Sequence, residues 1–261
     1  MARIRLDQLL TERGLARSRA EAQALIHAGE VELDGTRRLK PGLLVEPDAR
    51  PTILEGPRWA SRAGAKLEHA LDAFDIDPTG LACLDAGAST GGFTDVLLAR
   101  GARIVYAVDV GRAQLVDRLR HDARVVSMER TNLRDLTALP ELVDLATLDL
   151  SFISLRLVFP AVRRLLADGG RVVALVKPQF EAGRDEVPRG GVVREPQTWR
   201  RVLVEVTAGA REAGLHPRAV VRSPIAGGDG NVEFLLALGD PTSGGTDLGA
   251  AEIGAVIEDA V

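Results

Sequence analysis

Apolar segments of strand length alternate with helical stretches over most of the chain beyond residue 60. The predicted strands lie near residues 81–84, 104–108, 124–127, 144–149, 171–176, 219–222 and 232–238. The clearest helical spacing covers residues 62–74, 91–100, 154–167 and 196–213. Such alternation is typical of a mostly parallel sheet with helices on both faces. The pattern therefore predicts an α/β domain over residues 61–239.

The first 60 residues have a different pattern, which predicts a small α+β module. Two short segments with helical spacing are separated by Gly14, and Ser18 with Glu21 forms a predicted capping box for the second of them. Gly29 is the predicted end of that helix, and Val31–Gly35 is predicted to be a short strand with an Asp-Gly turn. Residues 41–60 are rich in proline and glycine and are predicted to be a linker with some extended structure.

Charge is distributed unevenly along the chain, which has a formal net charge of −4. Residues 1–20 contain five arginines and two acids, whereas residues 240–261 contain five acids and no lysine or arginine. The basic N-terminal segment suits phosphate binding, and the acidic end is predicted to be a flexible tail. Cys83 is the single cysteine, so neither a disulfide within the chain nor a cysteine-based zinc site is expected, and no metal site is predicted. No apolar run approaches the length of a membrane span, so we predict a cytoplasmic protein.

Arg13, Arg17 and Arg19 cluster at the junction of the two predicted N-terminal helices. Clusters of this kind are often only a solvated surface. Their position near the start of a helix, where free backbone N–H groups also favour anions, is equally consistent with contacts to the phosphates of RNA. These three arginines are the predicted RNA-binding residues.

Residues 85–93 read DAGASTGGF and match two different kinds of site. Gly87-Ala88-Ser89-Thr90-Gly91 fits the G-x-S-x-G nucleophile elbow of a hydrolase. A hydrolase would need several preceding strands, an oxyanion loop and a later histidine base, whereas this strand is the first of its domain. The later histidines, His121 and His216, lie in a polar stretch and in a turn. The hydrolase interpretation is therefore disfavoured.

A nucleotide-type cofactor site accounts better for the same residues. The glycines let the backbone approach a ligand, and Asp109 ends the next strand at a spacing typical of an acid that binds ribose hydroxyls. Ser89 replaces the second glycine of the NAD pattern G-x-G-x-x-G, which disfavours a pyrophosphate and favours the cationic S-adenosylmethionine. Asn132, after the third strand, is either an adenine contact or a turn residue. The predicted cofactor-binding residues are Asp85, Gly87, Ser89, Gly91, Gly92, Asp109 and Asn132.

Three charged residues interrupt apolar stretches of the same domain, namely Asp149, Lys177 and Glu233. The C-terminal ends of parallel strands meet at one edge of a sheet, so Asp149 and Lys177 are expected beside the glycine turn. Glu233 begins the last strand and reaches that edge only if the strand runs antiparallel. Lys66, on the helix before the first strand, completes a group of two cations and two anions. These residues form either a reactive site or ion pairs that cap the strand ends.

Several motifs resemble the TlyA (haemolysin A) family of ribosomal RNA 2′-O-methyltransferases, whose catalytic domain is of the FtsJ type. They are SRAGAKL, DAGASTGGFTD, DLSFISL, KPQFEAGR and SPIAGGDGNVEFL, and the likeness extends to about residue 239. The segments RLDQLL and GLARSRAEAQALIHAGEVELDG resemble the α-L RNA-binding module of ribosomal proteins and pseudouridine synthases. TlyA proteins usually have SRGG or SRGA where this chain has Ser61-Arg62-Ala63-Gly64.

The resemblance implies a Rossmann-like methyltransferase whose seven-stranded sheet is mostly parallel with an antiparallel last strand. It implies S-adenosylmethionine-dependent methylation of cytidine ribose 2′-hydroxyls in small- and large-subunit ribosomal RNA. The partners would be ribosomal RNA or ribosomal subunits, and neither DNA nor a membrane is expected. The alternative is an RNA-binding ribosome-assembly factor whose methyltransferase fold has lost its activity.

FtsJ-type enzymes use a Lys-Asp-Lys-Glu tetrad, which falls on Lys66, Asp149, Lys177 and Glu233 of this chain. We expect Lys177 to act as the base or the orienting group for the 2′-hydroxyl, with Asp149 and Glu233 fixing its geometry. Lys66 would steer the phosphate or the ribose of the target nucleotide.

Overall fold

The chain divides into two compact units, Met1–Arg58 and Trp59–Val261, two residues before the predicted boundary. The computed structural model describes residues 3–28, 31–36, 39–53, 58–183, 186–227, 230–242 and 246–260. Gly29, the predicted end of the second helix, lies outside the described residues.

The first unit contains two helices and two small antiparallel sheets. Its elements are β1 (Ile4–Arg5), α1 (Leu6–Glu12), α2 (Arg19–Ala28), β2 (Val31–Glu32), β3 (Leu44–Val45) and β4 (Thr52–Ile53). Strand β1 pairs with β3, and β2 pairs with β4. The apolar faces of the helices pack together because leucines at helical spacing point to one side; the buried core includes Leu6, Leu9, Leu10, Ile26 and Val31.

The predicted capping box is present only in part. The amide of Glu21 donates to Ser18 Oγ at 3.2 Å, as expected of an N-cap serine. The Glu21 carboxylate, however, accepts from the amide of Arg17 at 2.5 Å. The side chain therefore caps the turn one residue earlier than the motif indicates.

The second unit is built around one seven-stranded sheet. Its strands are β5 (Ala82–Ala86), β6 (Ile104–Val108), β7 (Val125–Met128), β8 (Val143–Leu148), β9 (Leu166–Val176), β10 (His216–Arg222) and β11 (Phe234–Gly239). The order across the sheet is β10-β11-β9-β8-β5-β6-β7. Strands β5 to β9 pair in parallel, whereas β11 runs antiparallel to both β9 and β10. The predicted fold class, including the antiparallel last strand, is confirmed.

Helices cover both faces of this sheet. They are α3 (Ala63–Ala73), α4 (Gly92–Ala99), α5 (Asp117–Arg120), α6 (Phe159–Leu165), α7 (Pro178–Glu181), α8 (Pro196–Glu212) and α9 (Ala250–Glu258), with 3-10 turns at Leu133–Asp135 and Leu155–Leu157. Successive residues of a strand point to opposite faces, so Val172 and Ala174 belong to one apolar cluster while Val173 and Leu175 belong to the other. Burial on both sides explains the continuous apolar runs of the strands.

Two predictions about elements are wrong. The helix predicted at 154–167 is a 3-10 turn followed by α6, and β9 already begins at Leu166. The predicted flexible tail contains α9, whose Ile253 and Ile257 are buried in the same core as α8. The buried Leu248 also fixes the segment before α9, because its amide donates to Pro217 O at 2.9 Å. No helix within the described residues is long and apolar enough to cross a membrane.

Candidate active site

The C-terminal edge of the parallel strands brings the four predicted charged residues into two ion pairs. Asp149 follows β8, Lys177 follows β9, and Lys177 Nζ lies 2.6 Å from Asp149 Oδ1. Lys66, in the second turn of α3, donates to Glu233 Oε2. Glu233 directly precedes β11, and the antiparallel direction of that strand brings it to the same edge of the sheet as Lys177. We expected Glu233 to position Lys177, but the structure pairs Glu233 with Lys66, and Lys177 is paired with Asp149.

The Lys66–Glu233 pair is buried, and in the other pair Lys177 is buried while the Asp149 side chain is 17% exposed. The exposed fractions are 6% for Lys66, 9% for Lys177 and 2% for Glu233. Burying charged groups is costly unless they are paired and hydrogen-bonded, so a fixed arrangement of this kind requires close partners. Gly227 leaves room for the Glu233 carboxylate, because a Cβ atom at position 227 would lie 2.1 Å from Glu233 Oε1.

Two cavities meet at this edge. The larger, about 440 Å³, is lined by Gly87, Ser89, Asp109 and Asn132 and by the segment from Asp149 to Ile153. The smaller, about 220 Å³, is lined by Lys66 and Arg62 from the other side. Gly87, Ser89 and Asp149 belong to the walls of both. A group bound in the larger cavity can therefore face one bound in the smaller cavity across Asp149.

The glycine-rich turn has the backbone geometry of a ligand cradle. Gly87 has a φ of +84°, and a Cβ atom there would lie 2.4 Å from the carbonyl oxygen of Asp149. Gly91 has a φ of +99°, and its Cβ would meet Leu119 at 2.4 Å. Both positions therefore require glycine for conformation and for space.

Ser89 has no role as a nucleophile in this geometry. Its own amide donates to Asp109 Oδ2 at 2.8 Å, and the Gly111 amide donates to Asp109 Oδ1 at 2.6 Å. The candidate bases of a hydrolase lie elsewhere: His121 contacts Asp117 O, and His216 lies on β10 beside Asp247. Asp109 thus fixes the turn and keeps free lone pairs in the wall of the larger cavity.

The other predicted cofactor residues differ in position. Asn132 lines the larger cavity and also caps a 3-10 turn, because its Oδ1 accepts from the Arg134 amide at 3.1 Å. The turn role is thus present, and the contact with adenine stays a prediction. Gly92 lines only the smaller cavity. Within the described part of the chain, Asp85 and Gly91 line neither cavity.

Asp85 is fully buried and acts on the turn from within the sheet. The hydroxyls of Thr94 and Thr147 donate to its two oxygens at 2.6 and 3.2 Å. The pKa of Asp85 is raised to about 7, chiefly by burial and in part by the nearby Asp149 carboxylate, while the Thr94 hydrogen bond opposes the shift. The prediction of a direct cofactor contact by Asp85 is therefore replaced by a structural role under the glycine turn.

The sequence analysis missed two residues beside Lys177. The hydroxyl of Ser151 accepts a hydrogen bond from Lys177 Nζ at 3.0 Å. Phe152 is 90% exposed, has a φ of +62°, and packs against Phe180 with ring centroids 5.0 Å apart. The sequence offered one signal for Phe152: the motifs DLSFISL and KPQFEAGR each contain a phenylalanine, in a chain with only 3% aromatic residues.

The predicted RNA-binding arginines are all exposed in the first unit, and within its described residues the side chain of Arg19 pairs with an acid whereas those of Arg13 and Arg17 do not. Arg19 Nε lies 3.3 Å from the buried carboxylate of Asp7, which also accepts from Arg5. These bonds, above all the one from Arg5, hold the pKa of Asp7 well below its ordinary value. Arg13 donates to Pro47 O at 2.7 Å, and that contact leaves its charge unneutralised.

Comparison with known proteins identifies the class. Residues 59–240 match the FtsJ-like methyltransferase family, and residues 4–50 match the S4 domain. The 16S/23S rRNA (cytidine-2′-O)-methyltransferase TlyA of Mycobacterium tuberculosis is 49% identical over 240 residues, which are 90% of each chain. Hemolysin A of Brachyspira hyodysenteriae is 38% identical over 235 residues, 89% of this chain and 98% of its own. A solved hemolysin-like structure from Streptococcus thermophilus has a TM-score of 0.77 and 43% identity, and covers 100% of this chain and 96% of its own.

The fold and the paired Lys-Asp-Lys-Glu residues thus define a methyltransferase of the FtsJ-like class, joined to an S4 domain. The chain belongs to the TlyA (haemolysin A) family of these enzymes. The predicted family, fold and class of enzyme are confirmed. The predicted cofactor agrees with this class of enzyme. The fold is shared with an S-adenosylmethionine-dependent methyltransferase from Listeria monocytogenes, with a TM-score of 0.52 and 18% identity.

Proposed function

We propose that the protein transfers a methyl group from S-adenosylmethionine to the ribose 2′-hydroxyl of cytidines in small- and large-subunit ribosomal RNA. The observation that carries the proposal is the meeting of two cavities at Asp149, beside the buried amine of Lys177. One cavity suits a donor and the other an acceptor, with charged groups between them. The TlyA relative at 49% identity supports the choice of RNA and of cytidine.

The larger cavity fits S-adenosylmethionine in shape and charge. Gly87 lines the cavity in a backbone conformation that favours glycine, and Asp109 has acceptor capacity for ribose hydroxyls. Asp149 places negative charge in the wall where a cationic sulfonium would lie. When bound, S-adenosylmethionine supplies an electrophilic methyl group for an in-line displacement, so positioning of the hydroxyl provides much of the rate.

Lys177 is the residue we assign to the proton of the 2′-hydroxyl. Its amine lies between Asp149 and Ser151, which fix its direction and leave one of its three N–H positions for the substrate. As a neutral amine it would accept the proton, and as a cation it would orient the oxygen by donating to it. Lys66, held by Glu233 at the wall of the smaller cavity, is placed to contact the ribose or the phosphate of the target nucleotide.

We further propose that the S4 unit contributes affinity for ribosomal RNA. Arg13 and Arg17 supply charges that are not neutralised by a carboxylate ion pair, in a segment with five arginines and two acids. Contacts to phosphates supply affinity and register, while the catalytic unit selects the nucleotide.

The test measures transfer of labelled methyl from S-adenosylmethionine to purified 30S and 50S subunits, followed by nuclease digestion and mass spectrometry of the modified nucleosides. We expect 2′-O-methylcytidine with the wild type, and a loss of at least about 100-fold in rate for Lys177→Ala with cofactor affinity retained. Lys177→Arg separates the two roles of the lysine, because arginine donates hydrogen bonds but does not deprotonate. Activity retained by the arginine variant would indicate an orienting cation, and activity lost would indicate a base.

Three results would count against this proposal. Transfer that survives Lys177→Ala removes the role of Lys177, and label on a base nitrogen or carbon removes the ribose. Absence of transfer to either subunit and to naked RNA, with RNA binding intact, supports the assembly-factor alternative.

A further inference from the structure

The buried carboxylate of Glu181 links the segment after Asp149 to helix α7, which follows Lys177. Glu181 is at the end of α7, four residues after Lys177, and is 6% exposed. Its Oε2 accepts from Ser154 Oγ at 2.6 Å, and its Oε1 accepts from the Leu155 amide at 2.8 Å. Ser154 and Leu155 lie in the segment that follows Asp149. Glu181 therefore joins this segment to α7.

Burial of Glu181 is costly, because neither of its oxygens forms an ion pair with any of the residues that the structure describes. Burial raises the pKa of Glu181 above its ordinary value, and the bonds from Leu155 and Ser154 oppose that shift. Arg156, whose positive charge also lowers the pKa of Glu181, is engaged with Ser154 Oγ and Glu205. Only a carboxylate offers two acceptor oxygens, because the amide of a glutamine would present an N–H group to one of the two donors.

The segment that Glu181 anchors is the wall of the proposed reaction site. Residues 150–154 contain Ser151, the hydrogen-bond partner of Lys177, and Phe152, whose ring packs on Phe180 of α7. Phe152 is held in the left-handed region with a φ of +62°, which a bulky residue adopts only when its surroundings impose it. The bond to Glu181 from the Leu155 amide, directly after this segment, is buried, and the bond from Ser154 at its end is partly buried.

We propose that Glu181 is a positioning residue, which holds the 150–154 segment against α7 and so fixes Ser151 and Asp149 around the amine of Lys177. Glu181 lines neither of the two cavities and acts through the segment. The inference rests on the proposed function, since positioning matters only if Lys177 contacts the 2′-hydroxyl.

The test compares Glu181→Gln with a matched control, Asp240→Asn. Asp240 is likewise a buried carboxylate, 1% exposed, that accepts from a backbone amide, Gly169 N, at 2.9 Å. It lies at the opposite edge of the sheet, after β11. Both variants lose a buried carboxylate, but only the first loosens the segment beside Lys177.

For Glu181→Gln we expect the single-turnover rate at saturating cofactor and subunits to fall about 10- to 100-fold, because an ångström of misplacement has effects of this size. Asp240→Asn should keep the wild-type rate even if its melting temperature falls by the same amount. Ser151→Ala and Glu181→Gln should be non-additive in a double-mutant cycle, because the second acts through the partner that the first removes. A rate within twofold of wild type, additive effects, or rate losses that merely track stability in both variants would overturn the proposal.

Amide hydrogen exchange of the free protein tests the same idea without catalysis. The Leu155 amide and its neighbours in the 150–154 segment should exchange at least about tenfold faster in Glu181→Gln and at the wild-type rate in Asp240→Asn. Unchanged exchange in Glu181→Gln would refute the anchoring role. If the wild type transfers no methyl group, that result counts against the proposed function, and the exchange measurement alone decides the role of Glu181.

Discussion

The buried carboxyl group of Asp85 lies two residues before Gly87 and contributes to how stability depends on pH. Its pKa in the folded protein is about 7, against 3.8 for a free aspartate, chiefly because burial disfavours the charged form. Between about pH 4 and pH 7 the folded protein therefore holds a proton that the unfolded chain has released. The contribution of this residue to stability falls as pH rises through that window and is level above it.

Asp85→Asn should remove this dependence, because asparagine stays neutral and can still exchange hydrogen bonds with Thr94 and Thr147. The free energy of unfolding of the variant minus that of the wild type should be about 2–3 kcal/mol larger at pH 8 than at pH 5, because only the wild type loses stability over this range. Urea titrations of both proteins at the two pH values measure the difference. Parallel pH profiles would show that Asp85 stays ionised in the folded state.

Single residues were predictable where a charge interrupts an apolar strand. Asp149, Lys177 and Glu233 stand out for that reason, and Lys66 followed from the family resemblance and its place before the first strand. Asp85 has the same sequence signal, but a strand pattern does not reveal which side chains have other elements packed above them. Ser151 and Glu181 gave no signal, because their roles depend on a loop with a left-handed residue at Phe152 that joins two segments distant in sequence.

At the scale of elements, strands were easier to predict than the segments around them. Strands covered on both faces appear as continuous apolar runs in the sequence. All seven strands of the sheet overlap the runs that were predicted to be strands. The division of residues 154–167 was missed because the apolar spacing continues through Leu165 and Leu166, where the backbone changes from helix to strand. The last helix was missed because a Pro-Thr-Ser-Gly-Gly stretch precedes it and residues 240–261 contain five acids, although Ile253 and Ile257 have the spacing of a buried helical face.

The packing of α9 gives a prediction that a flexible tail would not satisfy. Ile257 is 3% exposed in the core shared with α8. Ile257→Ala should lower the free energy of unfolding by about 3 kcal/mol, through lost burial and the cavity left behind. Glu258→Ala, at the neighbouring exposed position, is the control and should change it by less than about 0.5 kcal/mol. Chemical denaturation of the three proteins decides the matter, and equal stabilities would mean that α9 does not pack on the sheet domain in solution.

At the scale of the whole molecule, the net charge of −4 conceals a basic segment and an acidic one. The five acids of residues 240–261 are partly accounted for by structure, since Asp240 pairs with Arg163 and Asp247 pairs with Arg218. In the S4 unit, Arg19 pairs with Asp7, whereas Arg13 donates to a carbonyl and Arg17 is exposed. Binding of a polyanion depends on such local charge, so the chain can favour RNA while carrying a net negative charge.

Replacing Arg13 and Arg17 together by glutamine should therefore separate RNA affinity from cofactor affinity. Each lost phosphate contact lowers the dependence of binding on salt, so the slope of log K against log salt concentration should fall by about 1–2, with weaker binding to ribosomal subunits. The affinity for S-adenosylmethionine should stay at the wild-type value, because the larger cavity, which we propose binds it, is lined by residues of the second unit. Arg103→Gln is the control, since Arg103 pairs with Glu141 at the opposite edge of the sheet from the site. Filter binding at several salt concentrations and calorimetry with the cofactor supply both quantities, and an equal loss of RNA and cofactor affinity would contradict the division of labour between the two units.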